Sequence, residues 1–187
     1  MSTQALQRDR RGAPDRLSNL VLGVLNGSRH VQALFVYMAI VSVHFFEHLT
    51  QIYQVHVLGL APREAGGLFG ELLPNLVANE SLHMIYNTLQ LTGLILLAPG
   101  FRKSRAAKGW WIAAIVAQTW HWLEHAFLQV QFLTGHYFYG AIKQMSVLER
   151  FFPRVELHFA YNLSVVVPTV VALTVYLIQR SRRRAAA

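Results

Sequence analysis

Two five-residue stretches carry the chemistry of this chain: His44-Phe45-Phe46-Glu47-His48 and His121-Trp122-Leu123-Glu124-His125. Imidazole and carboxylate groups at this spacing are the ligand types of histidine-rich metal sites. Each copy lies inside a long apolar run, where an ionisable side chain is costly unless it has a partner and so marks a functional site. Two further apolar runs open on a histidine, Leu82-His83-Met84-Ile85-Tyr86-Asn87 and Leu157-His158-Phe159-Ala160-Tyr161-Asn162. On an α-helix, positions i, i+3 and i+4 share a face. His44, Glu47 and His48 therefore form one polar stripe, and His121, Glu124 and His125 a second. His83, Tyr86 and Asn87 form a third, and His158, Tyr161 and Asn162 a fourth.

Turned to a common interior, the four stripes supply six imidazoles and two carboxylates. That set suits two transition-metal ions, with His44, His48, His83, His121, His125 and His158 as ligands. Glu47 and Glu124 are expected as further metal ligands or as catalytic proton carriers. Tyr86, Asn87, Tyr161 and Asn162 are expected to hydrogen-bond around the bound group and orient its ligands. Glu80, three residues before His83, and Glu156, beside His158, are further candidates at the edge, although the position matching Glu80 is Val155. The chain has no cysteine, which removes thiolate ligation, iron–sulfur clusters and disulfides. Iron, copper or zinc remain. Haem b is the alternative cofactor, clamped by one histidine from each of two helices, but it leaves the glutamates without a role. H-x-x-E-H is also a metallopeptidase spacing, yet such an enzyme needs one copy in an open cleft, not two in apolar spans. A bare imidazole–carboxylate network joining helices is the plainest reading, and such cross-links contribute only ~1 kcal/mol each in a membrane.

These residues need long helices to position them. Of 187 residues, 53% are hydrophobic and only 14% charged, the balance of a membrane protein of one domain. Val31–Pro62, Leu82–Pro99, Trp110 to about Leu133 and Leu157–Gln179 are each long enough to span a bilayer, which takes about 20 apolar residues. Pro99-Gly100 ends the second span, and Pro168 is expected to kink the fourth. Loops follow at Arg63–Glu80 and His136–Arg154; within the first, Leu68–Leu73 and Leu76–Ala78 have the pattern of short surface helices. Met1–Arg16 reads as a basic disordered tail without a cleavable signal pattern, and Leu17–Leu25 as an interfacial helix or a tail at the headgroups.

Residues His44–Gln54 and His121–Gln131 match at an offset of 77, and the segments beginning Leu82-His83 and Leu157-His158 at an offset of 75. The expected fold is therefore an all-α integral membrane four-helix bundle of two tandem hairpins, related by a pseudo-two-fold axis along the membrane normal. Its division is 1–30 as basic tail, 31–180 as membrane domain (repeats 31–99 and 110–179), and 181–187 as basic C-terminal tail. The formal net charge of +8 resembles that of a nucleic-acid binder. However, 13 of the 17 lysines and arginines lie in the N-terminal tail, the turn at Phe101–Lys108 and the basic stop Arg180–Arg184, so they act as topology signals. The positive-inside rule then puts both termini in the cytoplasm of a plasma-membrane protein, and all six stripe histidines at one depth in the outer half.

The function this predicts is a membrane metalloprotein with a dinuclear, histidine-rich site near the outer face. As an enzyme it would be an oxidoreductase acting on oxygen or a lipid-soluble substrate. The alternatives are a transition-metal carrier or chaperone, and a b-type haem electron-transfer protein. Expected partners are membrane lipid and a lipid-soluble substrate or redox partner on the outer side, with no nucleic acid. His30, His56 and His136, near span ends, are expected to be interfacial or solvated.

Overall fold

The computed structural model describes residues 18–73, 75 and 80–186. The basic tail and the piece at Leu76–Ala78 lie outside the described residues. The described chain is helical, with no strand. After a leading helical stretch at 18–26 come α1 (His30–His56), the short α2 (Gly67–Leu72), α3 (Ser81–Leu97), α4 (Arg105–Thr134) and α5 (Arg154–Ala185). Each of the four long helices packs on two others: α1 on α3 and α5, and α4 on α3 and α5.

The local sequence sets the helix ends. Ser104 caps α4, its Oγ accepting from the Ala107 amide at 3.3 Å, and Gly135 closes it at φ +67°, where a Cβ would be strained. Pro153, extended at ψ 141°, precedes the first turn of α5. Helix α3 runs into a 3-10 turn, Ala98–Phe101, that contains Pro99. The kink expected at Pro168 does not break α5, which is one helix from Arg154 to Ala185. Beside that proline, the Thr169 hydroxyl donates to the Val165 carbonyl at 2.7 Å.

Among the described residues, three segments are long and apolar enough to cross a membrane: His30–His56, Ser81–Phe101 and Arg154–Ala185. The expected third span is different. Helix α4 has 30 residues and is long enough, but Gln118, His121, Glu124, His125 and Gln131 interrupt its apolar run. All five are buried, so α4 turns its polar side inward and depends on α3 and α5 to cover it.

Part of the burial is inverted relative to a water-soluble protein. Phe46, Ile85, Val116, Leu123 and Val130 are exposed, while histidine, glutamine and asparagine lie inside. That distribution suits a hydrocarbon surround. The interior has two storeys. At the end where the 98–104 turn lies, the core is apolar: Leu34, Val41, Leu94, Phe101, Trp111 and Val165 are all at most 1% exposed. Gly93 lacks the Cβ that would strike the Tyr37 ring, so α1 approaches the α3 backbone closely. The Trp111 indole donates to the Leu94 carbonyl at 2.8 Å. At the loop end, the core is made of histidines.

His30 departs from expectation. It is 1% exposed, edge-on to Phe101 at 5.2 Å and Tyr176 at 5.3 Å between ring centres. Its Nδ1 donates to the Leu25 carbonyl at 3.0 Å. The leading helical stretch shields it: Asn26 donates to the Leu96 carbonyl at 2.9 Å and accepts from the Gly100 amide at 2.8 Å. His56 and His136 are exposed, as expected.

Candidate metal centre

The six stripe histidines converge at the loop end of the four long helices. All six are buried, none more than 9% exposed. Within α1, the Nε2 atoms of His44 and His48 are 3.4 Å apart; within α4, those of His121 and His125 are 3.1 Å apart. The other two join these pairs. His83 lies 5.6 Å from His48 and 6.0 Å from His44 between ring centres, and His158 lies 5.0 Å from His125. The His83 and His125 rings stack at 5.3 Å with planes 4° apart. His48 and His158 face each other at 6.1 Å. His121, His125 and His158 bring one ligand atom each within 4.8 Å of one another, so this cluster could hold a metal ion.

Two observations test that fit. With metal–nitrogen bonds of about 2.0–2.1 Å, the nitrogen–nitrogen edge is about 3.4 Å in a tetrahedron and about 2.9 Å in an octahedron. The edges of 3.4 and 3.1 Å lie at and between those values. In addition, His83 Nδ1 and His158 Nε2 are buried without a hydrogen-bond partner among the described groups. Buried polar atoms are normally satisfied, and a cation would satisfy a bare ring nitrogen.

Surrounding groups fix how two of the rings present themselves. His158 Nδ1 donates to the Arg154 carbonyl at 2.8 Å, and His48 Nδ1 to Gln51 Oε1 at 2.9 Å. Each bond places the proton on Nδ1 and leaves Nε2 as the ligand atom. Gln51 has no counterpart in the second half, where Leu128 stands at the matching position, so matching the two halves could not reveal it. Tyr86 stacks on His44 at 5.0 Å, and Tyr161 lies over His121 at 5.2 Å. Both tyrosines thus contact the ligand rings by their faces. Asn87 and Asn162 do not reach the imidazoles with their amides. Each donates one turn back along its own helix, to the His83 and His158 carbonyls, both at 2.9 Å. Asn87 also accepts from Gln118 Nε2 at 2.8 Å.

The structure does not bring Glu47 and Glu124 among the converging ligand atoms. The Glu47 carboxylate accepts from the Leu68 and Phe69 amides, both at 3.0 Å. It caps α2, whose free N–H groups attract a carboxylate. Glu124 lies beside the side chains of Tyr161 and Ser146. Glu156 also turns away, its carboxylate accepting from His56 Nε2 at 2.8 Å. The carboxylate that approaches the cluster is Glu80, with Oε2 3.5 Å from His125 Nδ1. Its other oxygen is bound by Arg154, which also contacts Glu149 at 3.3 Å. Glu149 lies 4.0 Å from His158 Nδ1. Arg154 therefore joins two carboxylates that each face a histidine. Glu80 stands at φ +63°, a left-handed conformation that few non-glycine residues adopt.

Two glutamines fasten the loops over the centre. Gln54 Oε1 accepts from the Gly67 amide at 2.8 Å. Gln131 Oε1 accepts from the Phe138 amide at 2.8 Å and the Met145 amide at 3.3 Å, while its Nε2 donates to the Met145 carbonyl at 2.9 Å. Their shared offset was visible in the sequence, but their role as loop ties was not. Gln131→Leu leaves two amides and a carbonyl without these partners. It should destabilise the 136–153 loop by about 1–3 kcal/mol, seen as faster amide hydrogen exchange across that loop with unchanged exchange in α1.

Among the described residues, the fold and site thus define a helical protein with three helices able to cross a membrane and a buried histidine cluster able to hold a metal ion. No protein-family model, curated protein or solved structure matches it.

Proposed function

We propose that this chain is a membrane metalloprotein whose six histidines hold two transition-metal ions in a fixed site. The convergence of those six imidazoles in one buried cluster carries the reading. The bundle is taken as two tandem hairpins, α1–α3 and α4–α5, each giving one close histidine pair and one lone histidine. The similar edges of 3.4 and 3.1 Å, and the tyrosine over the first histidine of each half, support the duplication. Termini in the cytoplasm would put the site near the outer face.

An oxidoreductase acting at an open metal position is the first reading, with iron or copper as its metal; zinc would imply a structural or hydrolytic role. A metal carrier needs a polar path onward. Here the polar layer of Asn87, Gln90 and Gln118 gives way to buried Val41, Leu94, Trp111 and Val165, which favours a fixed site. A b-type haem needs a flat slot a macrocycle wide between two imidazoles. The rings instead lie directly against one another, with His83 stacked on His125, which favours single ions.

Elemental mass spectrometry of the detergent-purified protein should find about two equivalents of metal, with no Soret band. One equivalent would reduce the site to a mononuclear one, a Soret band would make it a cytochrome, and no metal after expression with iron, copper and zinc supplied would leave a polar helix-packing network.

A further inference from the structure

At the end of the bundle away from the histidine cluster, three segments far apart in the chain meet around Phe101. Asn26 ties the leading helical stretch to the 98–104 turn. Phe101 of that turn lies 5.2 Å from His30 and 5.2 Å from Tyr176 of α5 between ring centres. One turn or two beyond Tyr176, the Arg183 guanidinium donates to the Lys103 carbonyl at 3.0 Å. These contacts gather nine lysines and arginines: Arg29, the four within 102–108 and the four within 180–184. All except the half-buried Arg180 are exposed. None of the nine has an ion-pair partner among the described residues. The described glutamates lie elsewhere, Glu47 and Glu124 at the level of the histidines and the others in the loops or at the start of α5. The positive charge at this end is therefore uncompensated, and like charges held together call for an anionic counterpart. The leading stretch adds an apolar face beside them, with Leu20, Val21 and Val24 exposed on one side of its helix.

We infer that this end is a binding surface for anionic phospholipid, with the cations on the phosphate headgroups and the leading stretch lying in the interface. The inference rests on the membrane reading above and is independent of the metal. Three helices able to cross a membrane place their ends at a bilayer surface, which makes lipid the partner within reach. Clusters of basic residues next to a span are attracted to anionic headgroups. A helix with an apolar side and basic neighbours lies at the boundary of headgroups and acyl chains. Leu20, Val21 and Val24 supply the contact to acyl chains that a free phosphate would not need.

Spin-labelled lipid tests it, with the full chain reconstituted into phosphatidylcholine vesicles. Labelled phosphatidylglycerol should associate with the protein about twofold to fivefold more strongly than labelled phosphatidylcholine. The preference should fade at 1 M salt, where charges are screened within about 3 Å. Two variants, Lys103→Gln/Arg105→Gln/Lys108→Gln and Arg182→Gln/Arg183→Gln/Arg184→Gln, should each lower the preference by about half while keeping the helical circular dichroism. Arg63→Gln/Lys143→Gln, at the loop end, should leave it unchanged. Equal association of the two lipids, or a preference lost only in the loop-end variant, would overturn the inference and leave the membrane reading standing. A chain that stays in solution without detergent and does not float with vesicles would overturn both. Displacement of the lipid by inorganic phosphate, against chloride at equal ionic strength, would assign the surface to free phosphate and overturn the inference. So would tighter binding of an RNA oligonucleotide than of phosphatidylglycerol.

Discussion

Replacing His125 with alanine should weaken metal binding by about a hundredfold. Four-ligand zinc sites of small domains are worth about 10–16 kcal/mol, or about 3 kcal/mol per ligand, and every 1.4 kcal/mol is about tenfold in affinity. His125 is the choice because it belongs to the His121–His125–His158 cluster, stacks on His83 of α3 and faces Glu80. Competition against a chromophoric chelator measures the affinity. Two controls separate ligation from folding. His125→Gln keeps much of the volume and should lose the metal equally, and His136→Ala, at an exposed position, should bind as the parent does. If His125→Ala kept its helical circular dichroism and its metal affinity, His125 would not be a ligand.

The second large effect belongs to Arg154. Its guanidinium joins Glu80 and Glu149, whose side chains are only 4% and 7% exposed. Breaking a buried pair by removing one partner costs about 3–5 kcal/mol, because a charge is left without compensation. Arg154 is itself one-third exposed, so about 2–3 kcal/mol is expected for Arg154→Met. Thermal unfolding in detergent should show a clear drop in Tm. Glu80→Gln in the Arg154→Met background should recover part of it, since it removes one of the stranded charges. An Arg154→Met protein as stable as its parent would show that water already screens these carboxylates. Arg154 also ties the start of α5 to Glu80 at the start of α3, so the same variant should loosen the spacing of His83 and His158 and reduce metal affinity.

Helical periodicity sufficed for the six histidines. Residues four apart on a helix differ by only about 40° around the axis, and a polar stripe in an otherwise apolar helix has one favourable direction, inward. His44 with His48, and His121 with His125, were therefore bound to face the interior together. Glu47 shows where that logic ends. It stands about 60° from His44 and about 100° from His48 around the same helix, on the flank of the stripe. From there a carboxylate can turn to the centre or to the surface beside it. The amides of Leu68 and Phe69 decide the matter, and they come from a loop whose path no periodicity encodes.

By itself, the sequence determined the helical class, the four long elements, the absence of thiolate chemistry and the identity of the six converging imidazoles. These follow from apolar length, residue type and a fixed angular repeat, all local quantities. Only the tertiary structure decided that Glu80 and Glu149, rather than Glu47 and Glu124, approach the histidines. It alone decided that Arg154 joins the two carboxylates, that Gln54 and Gln131 hold the loops down, and that His30 is enclosed by Phe101 and Tyr176. Each of these rests on groups far apart in the chain. Which donor meets which acceptor is set by the way the helices and loops close around the site, a free energy that no single segment contains.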